Sequence, residues 1–120
     1  MRRATGVVFA LLLGVGASAL AGCERGAPGV GIDGAGAHAL VAQGATLVDV
    51  RTPMEWEAGH VEGAVLLPIS ELGGRLQEIP RDRPVVVYCA SGSRSAQAAA
   101  VLGAAGYNVR DLGGMARWNP

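Results

Sequence analysis

The residues best suited to chemistry lie in one loop, Cys89-Ala90-Ser91-Gly92-Ser93-Arg94, which follows an apolar run at 84–88. The apolar run predicts a buried strand and the alanine-rich segment 94–105 predicts a helix, so the loop joins a strand end to a helix start. Backbone N–H groups in such a loop can converge on an anion, and the helix N-terminus adds partial positive charge. These features lower the pKa of a thiol, and we predict that Cys89 is a nucleophilic thiolate at neutral pH.

The other residues of this loop are predicted to bind an anionic substrate. Arg94 carries a planar guanidinium whose paired donors suit oxyanions, and Gly92 permits backbone dihedrals that are closed to other residues. Ala90, Ser91 and Ser93 supply further backbone amides. A lone cysteine at a strand end is also common as an ordinary core residue. The spacing to Arg94 and the strand-to-helix position favour the chemical interpretation.

Strands and helices alternate along the folded part of the chain. This order predicts an α/β fold with a parallel sheet and helices on both faces. Gly113 and Gly114 are expected to form a turn after the last strand. The predicted strands cover 46–50, 64–67, 84–88 and 108–112, and the predicted helices cover 35–43, 53–58, 69–79 and 94–105.

Two of the helices have recognisable start signals. Thr52 is the expected N-cap of the second helix, with Pro53 at its first position and Glu55 closing a capping box. The third helix is predicted from apolar residues at helical spacing over 69–79, with Ser70 as its candidate cap. The Gly73-Gly74 pair weakens that third helix.

The N-terminal residues are predicted to be a secretion signal. An uncharged apolar run at 4–20 follows two arginines and is short for a bilayer-spanning helix, which needs ~20 apolar residues. The run ends in Leu20-Ala21-Gly22-Cys23, which resembles the bacterial lipobox, where cleavage leaves the cysteine as a lipid-carrying N-terminus. An uncleaved anchor and an ordinary cleaved signal are the alternative interpretations.

This interpretation divides the chain into three parts. Residues 1–22 form a lipoprotein signal peptide, 23–31 form a flexible tether rich in glycine and alanine, and 32–120 form the folded domain. The mature protein is then expected outside the cytoplasm, held by a lipid on Cys23 to a bacterial membrane and facing the periplasm or the cell exterior.

Composition excludes several classes of function. The 10 basic residues, all arginine, balance the 10 acidic residues, so no basic field favours nucleic acid. Two cysteines cannot make a disulfide-dense scaffold or a four-cysteine zinc site, and Cys23 and Cys89 lack the short spacing of zinc ligands. We therefore expect no metal, no other cofactor and no nucleic-acid partner.

Three segments together resemble the single-domain rhodaneses. The loop from Cys89 to Ser95 resembles their active-site loop, and Asp49-Val50-Arg51 with the following segment 55–64 resembles a second family signature. The segment 112–118 matches the usual end of the family, so the resemblance covers about residues 32–118. It implies a rhodanese fold and a sulfurtransferase in which Cys89 takes a sulfane sulfur as a persulfide. The implied donor is a small anion such as thiosulfate, and the acceptor is cyanide or a thiol, for example on a thioredoxin-like protein.

Two other functions stay open beside this one. A sulfur-carrier or redox-thiol binding protein would also need a stabilised persulfide but would not turn over efficiently. Related phosphatases and arsenate reductases have a loop one residue longer than the four residues between Cys89 and Arg94. The shorter loop favours sulfur over a tetrahedral oxyanion.

Several further residues receive structural expectations. Asp49 and Arg51 are predicted to form a buried charge pair that supports the active loop, because buried charges are normally paired. His60 is expected to be structural, since a preformed thiolate needs no base. The glutamates are expected to cap helices or face solvent, and the tryptophans to lie in the core or at the edge of a pocket: Glu55, Glu57, Glu62, Trp56 and Trp118.

Overall fold

A five-stranded parallel sheet organises residues 29–120, the part of the chain that the computed structural model describes. The predicted α/β class is confirmed. The strands are β1 (Val30–Gly31), β2 (Thr46–Asp49), β3 (Val65–Leu66), β4 (Val85–Cys89) and β5 (Val109–Gly114), and the helices are α1 (Gly34–Ala42), α2 (Pro53–Ala58), α3 (Ile69–Leu72) and α4 (Ser93–Ala104). The strand order is β1-β5-β4-β2-β3, and each neighbouring pair is parallel.

The central strand β4 divides the core into two layers. Its side chains alternate, so that Val85, Val87 and Cys89 join one apolar cluster while Val86 and Tyr88 join the other. The first cluster includes residues of α4, and the second includes residues of α1. Both faces of the sheet are therefore covered, which is why β4 is a continuous apolar run rather than an alternating one.

The second helix begins as its start signals predict. The Thr52 hydroxyl accepts a hydrogen bond from the Glu55 amide, and the Glu55 carboxylate accepts one from the Thr52 amide. Pro53 occupies the first helical position, and the helix ends at Gly59. The capping box is thus confirmed, and it also fixes where the Glu55 side chain points.

The third helix is shorter than predicted. It ends at Leu72, and a separate 3₁₀ turn follows at Leu76–Glu78, because the Gly73-Gly74 pair interrupts the helical run. Ser70 does not cap the helix, since the helix begins at Ile69 with Pro68 in the cap position. Apolar residues on both sides of this interruption still face the core, since Leu72 and Ile79 are both buried.

The sheet extends beyond the predicted strands at both ends of the domain. Val30 and Gly31 pair with Arg110 and Asp111 as a short edge strand, so the last two residues of the predicted tether belong to the fold. Both residues of this strand are exposed, so its pairing leaves no pattern of side-chain polarity in the sequence. The predicted signal peptide, Cys23 and tether residues 24–28 lie outside the described residues.

Strand β5 also runs through the predicted Gly113-Gly114 turn. These glycines pair with Tyr88 and Cys89 after a bulge that shifts the register by one residue at Leu112. A Cβ on Gly114 would lie 2.9 Å from the Ala90 carbonyl oxygen, closer than real structures allow. Glycine therefore lets β5 pass directly beside the loop that follows Cys89.

Within residues 29–120, no helix is both long enough and apolar enough to cross a bilayer.

Candidate active site

Cys89 is the last residue of β4 and lies at the start of the loop that leads into α4. Gly92 caps that helix with a φ of +113°, a conformation that side chains other than glycine rarely adopt. In this conformation the Gly92 amide donates a hydrogen bond to the Cys89 sulfur, with N and Sγ 2.9 Å apart. The loop backbone therefore folds around the thiol, as an anion-binding loop requires.

The environment of Cys89 favours the thiolate. Burial raises the pKa of its thiol, but hydrogen bonds from the Ser95 amide and hydroxyl and from the Gly92 and Ser91 amides outweigh burial, so the pKa lies below its ordinary value. The Ser95 hydroxyl is buried and has one hydrogen, which can serve either the Gly92 carbonyl, 3.1 Å away, or the sulfur. An ionised sulfur is the stronger acceptor.

Ser95 is a site residue that the sequence interpretation left out of its substrate-binding set. It stands in the first turn of α4, where a serine is also common for reasons of helix capping alone. The predicted substrate-binding residues lie at the loop surface: Ala90, Ser91 and Ser93 are exposed, and Gly92 is half-buried. Of these four residues, Gly92 and Ser91 contact the Cys89 sulfur through their backbone amides.

Arg94 faces Glu55 in the structure. Its Nη1 and Nη2 atoms lie 2.7 and 3.0 Å from the two carboxylate oxygens of Glu55, in a two-point ion pair. Hydrogen bonding to Arg94, then to Thr52, lowers the pKa of Glu55 to about 2, so the carboxylate is ionised at neutral pH. The predicted anion-binding guanidinium thus already has an anion, supplied by the cap residue of α2.

A buried network lies beneath the loop. Asp49 and Arg51 form the predicted charge pair at 2.7 Å, and the Arg51 guanidinium also donates to the Gly59 carbonyl at 2.7 Å. Tyr88 completes the network: its hydroxyl donates to Asp49 at 2.7 Å and accepts from the Val61 amide at 3.1 Å. Sequence reasoning missed Tyr88, whose place in an apolar strand predicts only burial.

His60 lies just beyond α2 and contacts Trp56 of that helix. Its ring stacks on Trp56 with centroids 3.5 Å apart, and its Nδ1 lies 2.9 Å from the Trp56 carbonyl oxygen. These contacts agree with the structural role predicted for it. Glu57 and Glu62 are exposed, as expected of residues on a solvated face.

The described residues contain no group of three or more histidine, cysteine, aspartate or glutamate side chains placed to hold a metal ion. Within this part of the chain, Cys89 is a free cysteine. The hydrogen bonds to Cys89 make the described site a stabilised thiolate in a backbone cradle.

The family profile and the related sequences that match this chain point to the same protein family. The rhodanese-like domain profile matches residues 35–120. A sulfurtransferase of Allochromatium vinosum is 47% identical over 76 residues, which cover 60% of this chain and 69% of that protein. The thiosulfate sulfurtransferase GlpE of Pseudomonas syringae pv. syringae is 40% identical over 72 residues, covering 60% and 68%.

Solved structures and larger relatives extend this comparison. The human single-domain sulfurtransferase TSTD1 has a TM-score of 0.61 at 31% identity, covering 77% of this chain and 94% of its own. Some relatives are much longer: the chain spans 19% of the MoeZ protein of Mycobacterium tuberculosis, with which it shares 43% identity over 76 residues.

Proposed function

Because the chain belongs to the rhodanese-like domain family, we propose that it is a sulfurtransferase that carries a sulfane sulfur as a persulfide on Cys89. The observation that carries this proposal is the 2.9 Å hydrogen bond from the Gly92 amide to the Cys89 sulfur, inside a loop that lowers the pKa of the thiol. The thiosulfate sulfurtransferases among its relatives support a rhodanese-type reaction.

The proposed first step loads the enzyme. The Cys89 thiolate attacks the outer sulfur of a small anionic donor such as thiosulfate, and a new S–S bond forms as the donor's S–S bond breaks. Sulfite leaves with the electron pair of the broken bond, and Cys89 becomes a persulfide anion. Amides of the loop stabilise the negative sulfur in both states.

The second step unloads it. A nucleophile, either cyanide or the thiolate of an acceptor, attacks the terminal sulfur of the persulfide, and the Cys89 thiolate leaves with its electron pair. Neither step needs a general base, because attacking and leaving groups are already anions. The contacts of His60 with Trp56 fit this scheme.

We further propose that the protein works at a membrane surface outside the cytoplasm. The support is the sequence Leu20-Ala21-Gly22-Cys23 behind an uncharged apolar run. The lipid would hold the domain close to the membrane, where a thiol acceptor such as a thioredoxin-like protein could reach the Cys89 loop.

The test of this function is multiple-turnover sulfur transfer from thiosulfate to cyanide. The proposal expects turnover together with a persulfide on Cys89, detected as the added mass of one sulfur atom. A protein that takes up one sulfur but never turns over, with cyanide or with a dithiol, would instead be a sulfur carrier.

A further inference from the structure

Two arginines close to the Cys89 loop are each paired with a carboxylate. Arg94 meets Glu55, as described, and Arg51 meets the buried carboxylate of Asp49. These four groups sum to zero charge. Neither of these two guanidiniums is therefore a free positive charge for an anionic donor, and the backbone amides of the loop and the start of α4 supply attraction of their own.

Glu55 is held in place independently of Arg94. One carboxylate oxygen lies 3.0 Å from the Thr52 amide and 3.1 Å from the Thr52 hydroxyl, so the capping box fixes the carboxylate. A donor that draws Arg94 toward itself would therefore leave the negative charge of Glu55 where it is, close to the entering anion.

The pair is also open to exchange. The Arg94 and Glu55 side chains are 30% and 32% exposed, so solvent and small anions can reach the pair. Partly exposed ion pairs hold their partners weakly compared with buried ones, because water screens the attraction. Arg94 can thus turn to a donor, but only in competition with the carboxylate.

We propose that Glu55 is a specificity-determining residue: by neutralising Arg94 beside the Cys89 loop, it makes the site disfavour doubly charged sulfur donors relative to singly charged ones. Organic persulfides and thiosulfonates are donors of the singly charged class, whereas thiosulfate carries two charges. This inference rests on the proposed sulfurtransferase function and names the class of donor that the same site prefers.

The physical reason is the charge dependence of the interaction. Coulomb energy is proportional to the charge of the donor, so a fixed carboxylate repels a dianion twice as strongly as a monoanion in the same place. If removing that carboxylate raises kcat/KM for the monoanion by a given factor, it should raise kcat/KM for the dianion by the square of that factor. Added salt should reduce both factors, because it screens the charges of a partly exposed site.

The experiment compares Glu55→Gln with a matched control, Glu57→Gln. Both changes remove one negative charge from α2, and the amide that replaces the Glu55 carboxylate keeps an oxygen for the Thr52 amide. Glu57 is exposed and makes no ion pair or side-chain hydrogen bond within residues 29–120. The donors are thiosulfate and methanethiosulfonate, which present the same outer sulfur but carry two charges and one.

In cyanide assays at low salt, Glu55→Gln is expected to raise kcat/KM about tenfold for thiosulfate and about threefold for methanethiosulfonate. Glu57→Gln should change either value less than about twofold. In an Arg94→Ala background Glu55→Gln should still favour thiosulfate over methanethiosulfonate, since the carboxylate repels the donor directly whether or not the guanidinium is present.

Three results would overturn the proposal. Equal increases in kcat/KM for the two donors, or equal effects of the Glu55 and Glu57 changes, would show that Glu55 does not select donors by charge. A loss of activity with both donors in a variant that unfolds like the parent would mean that Glu55 only positions Arg94. Failure of the parent protein to form a persulfide with either donor would refute the proposed sulfurtransferase function. The Glu55 and Glu57 variants test only the selection by charge, so the two failures can be told apart.

Discussion

The Tyr88 hydroxyl donates a 2.7 Å hydrogen bond to the buried carboxylate of Asp49, and this bond ties the strand that carries Cys89 to its neighbour β2. The same hydroxyl accepts from the Val61 amide, so it also holds the segment after α2. Burial, then the hydrogen bond to Asp49, raises the pKa of Tyr88. The hydroxyl is therefore a neutral donor throughout the physiological range, as this position requires.

Tyr88→Phe should destabilise the domain without abolishing its chemistry. The change leaves the Val61 amide without its buried acceptor, which typically costs about 1–3 kcal/mol. We expect the free energy of unfolding in urea to fall by that amount, while the native variant still forms a persulfide. An unfolding free energy within about 0.5 kcal/mol of the parent value would contradict this role.

The pH dependence of sulfur uptake should report the ionisation of Cys89. Because the thiol pKa is lowered in the folded protein, the thiolate predominates above that pKa, and the loading rate should fall as the pH drops through it. Ser95→Ala removes one hydrogen bond to the thiolate and should shift the profile measurably to higher pH.

The control for this measurement is Ser70→Ala, an exposed serine in α3. It should leave the pH profile where it is. If Ser95→Ala gave the same profile as the parent, the Ser95 hydroxyl would serve only the Gly92 carbonyl and not the sulfur.

Cys23→Ser should release the protein from membranes. A cysteine that receives lipid at this position anchors the chain, and one acyl chain alone binds only reversibly, so stable anchoring needs more than one. Fractionation of cells should place the parent with membranes and the variant in the soluble fraction or in an unprocessed form. A soluble parent with an unmodified Cys23 would refute the lipid anchor.

Patterns within short segments predicted much of this fold. The apolar run at 84–88 identifies the central strand, and Thr52, Pro53 and Glu55 mark a helix start, because each signal needs only neighbouring residues. The position of Cys89 between strand and helix follows from the same local reasoning.

Contacts between distant segments were beyond such reasoning. Glu55 and Arg94 are 39 residues apart, as are Asp49 and Tyr88, and no periodicity links them. The capping role of Glu55 was predicted, but its ion pair with Arg94 forms only once α2 and α4 are placed side by side. Gly113 and Gly114 resemble a turn in sequence, yet they form strand because β5 must pass the Cys89 loop at close range.

The central claim is that Cys89 carries the transferred sulfur. We expect Cys89→Ser to abolish both persulfide formation and turnover, since serine cannot hold a sulfane sulfur at this position. Thermal unfolding of the variant serves as the folding control.

The most direct measurement is the intact mass of the domain after incubation with thiosulfate and removal of excess donor. The account predicts that the parent gains the mass of one sulfur atom, loses it on addition of cyanide, and that Cys89→Ser gains nothing. A parent that gains no sulfur, or a Cys89→Ser variant that gains as much as the parent, would contradict it.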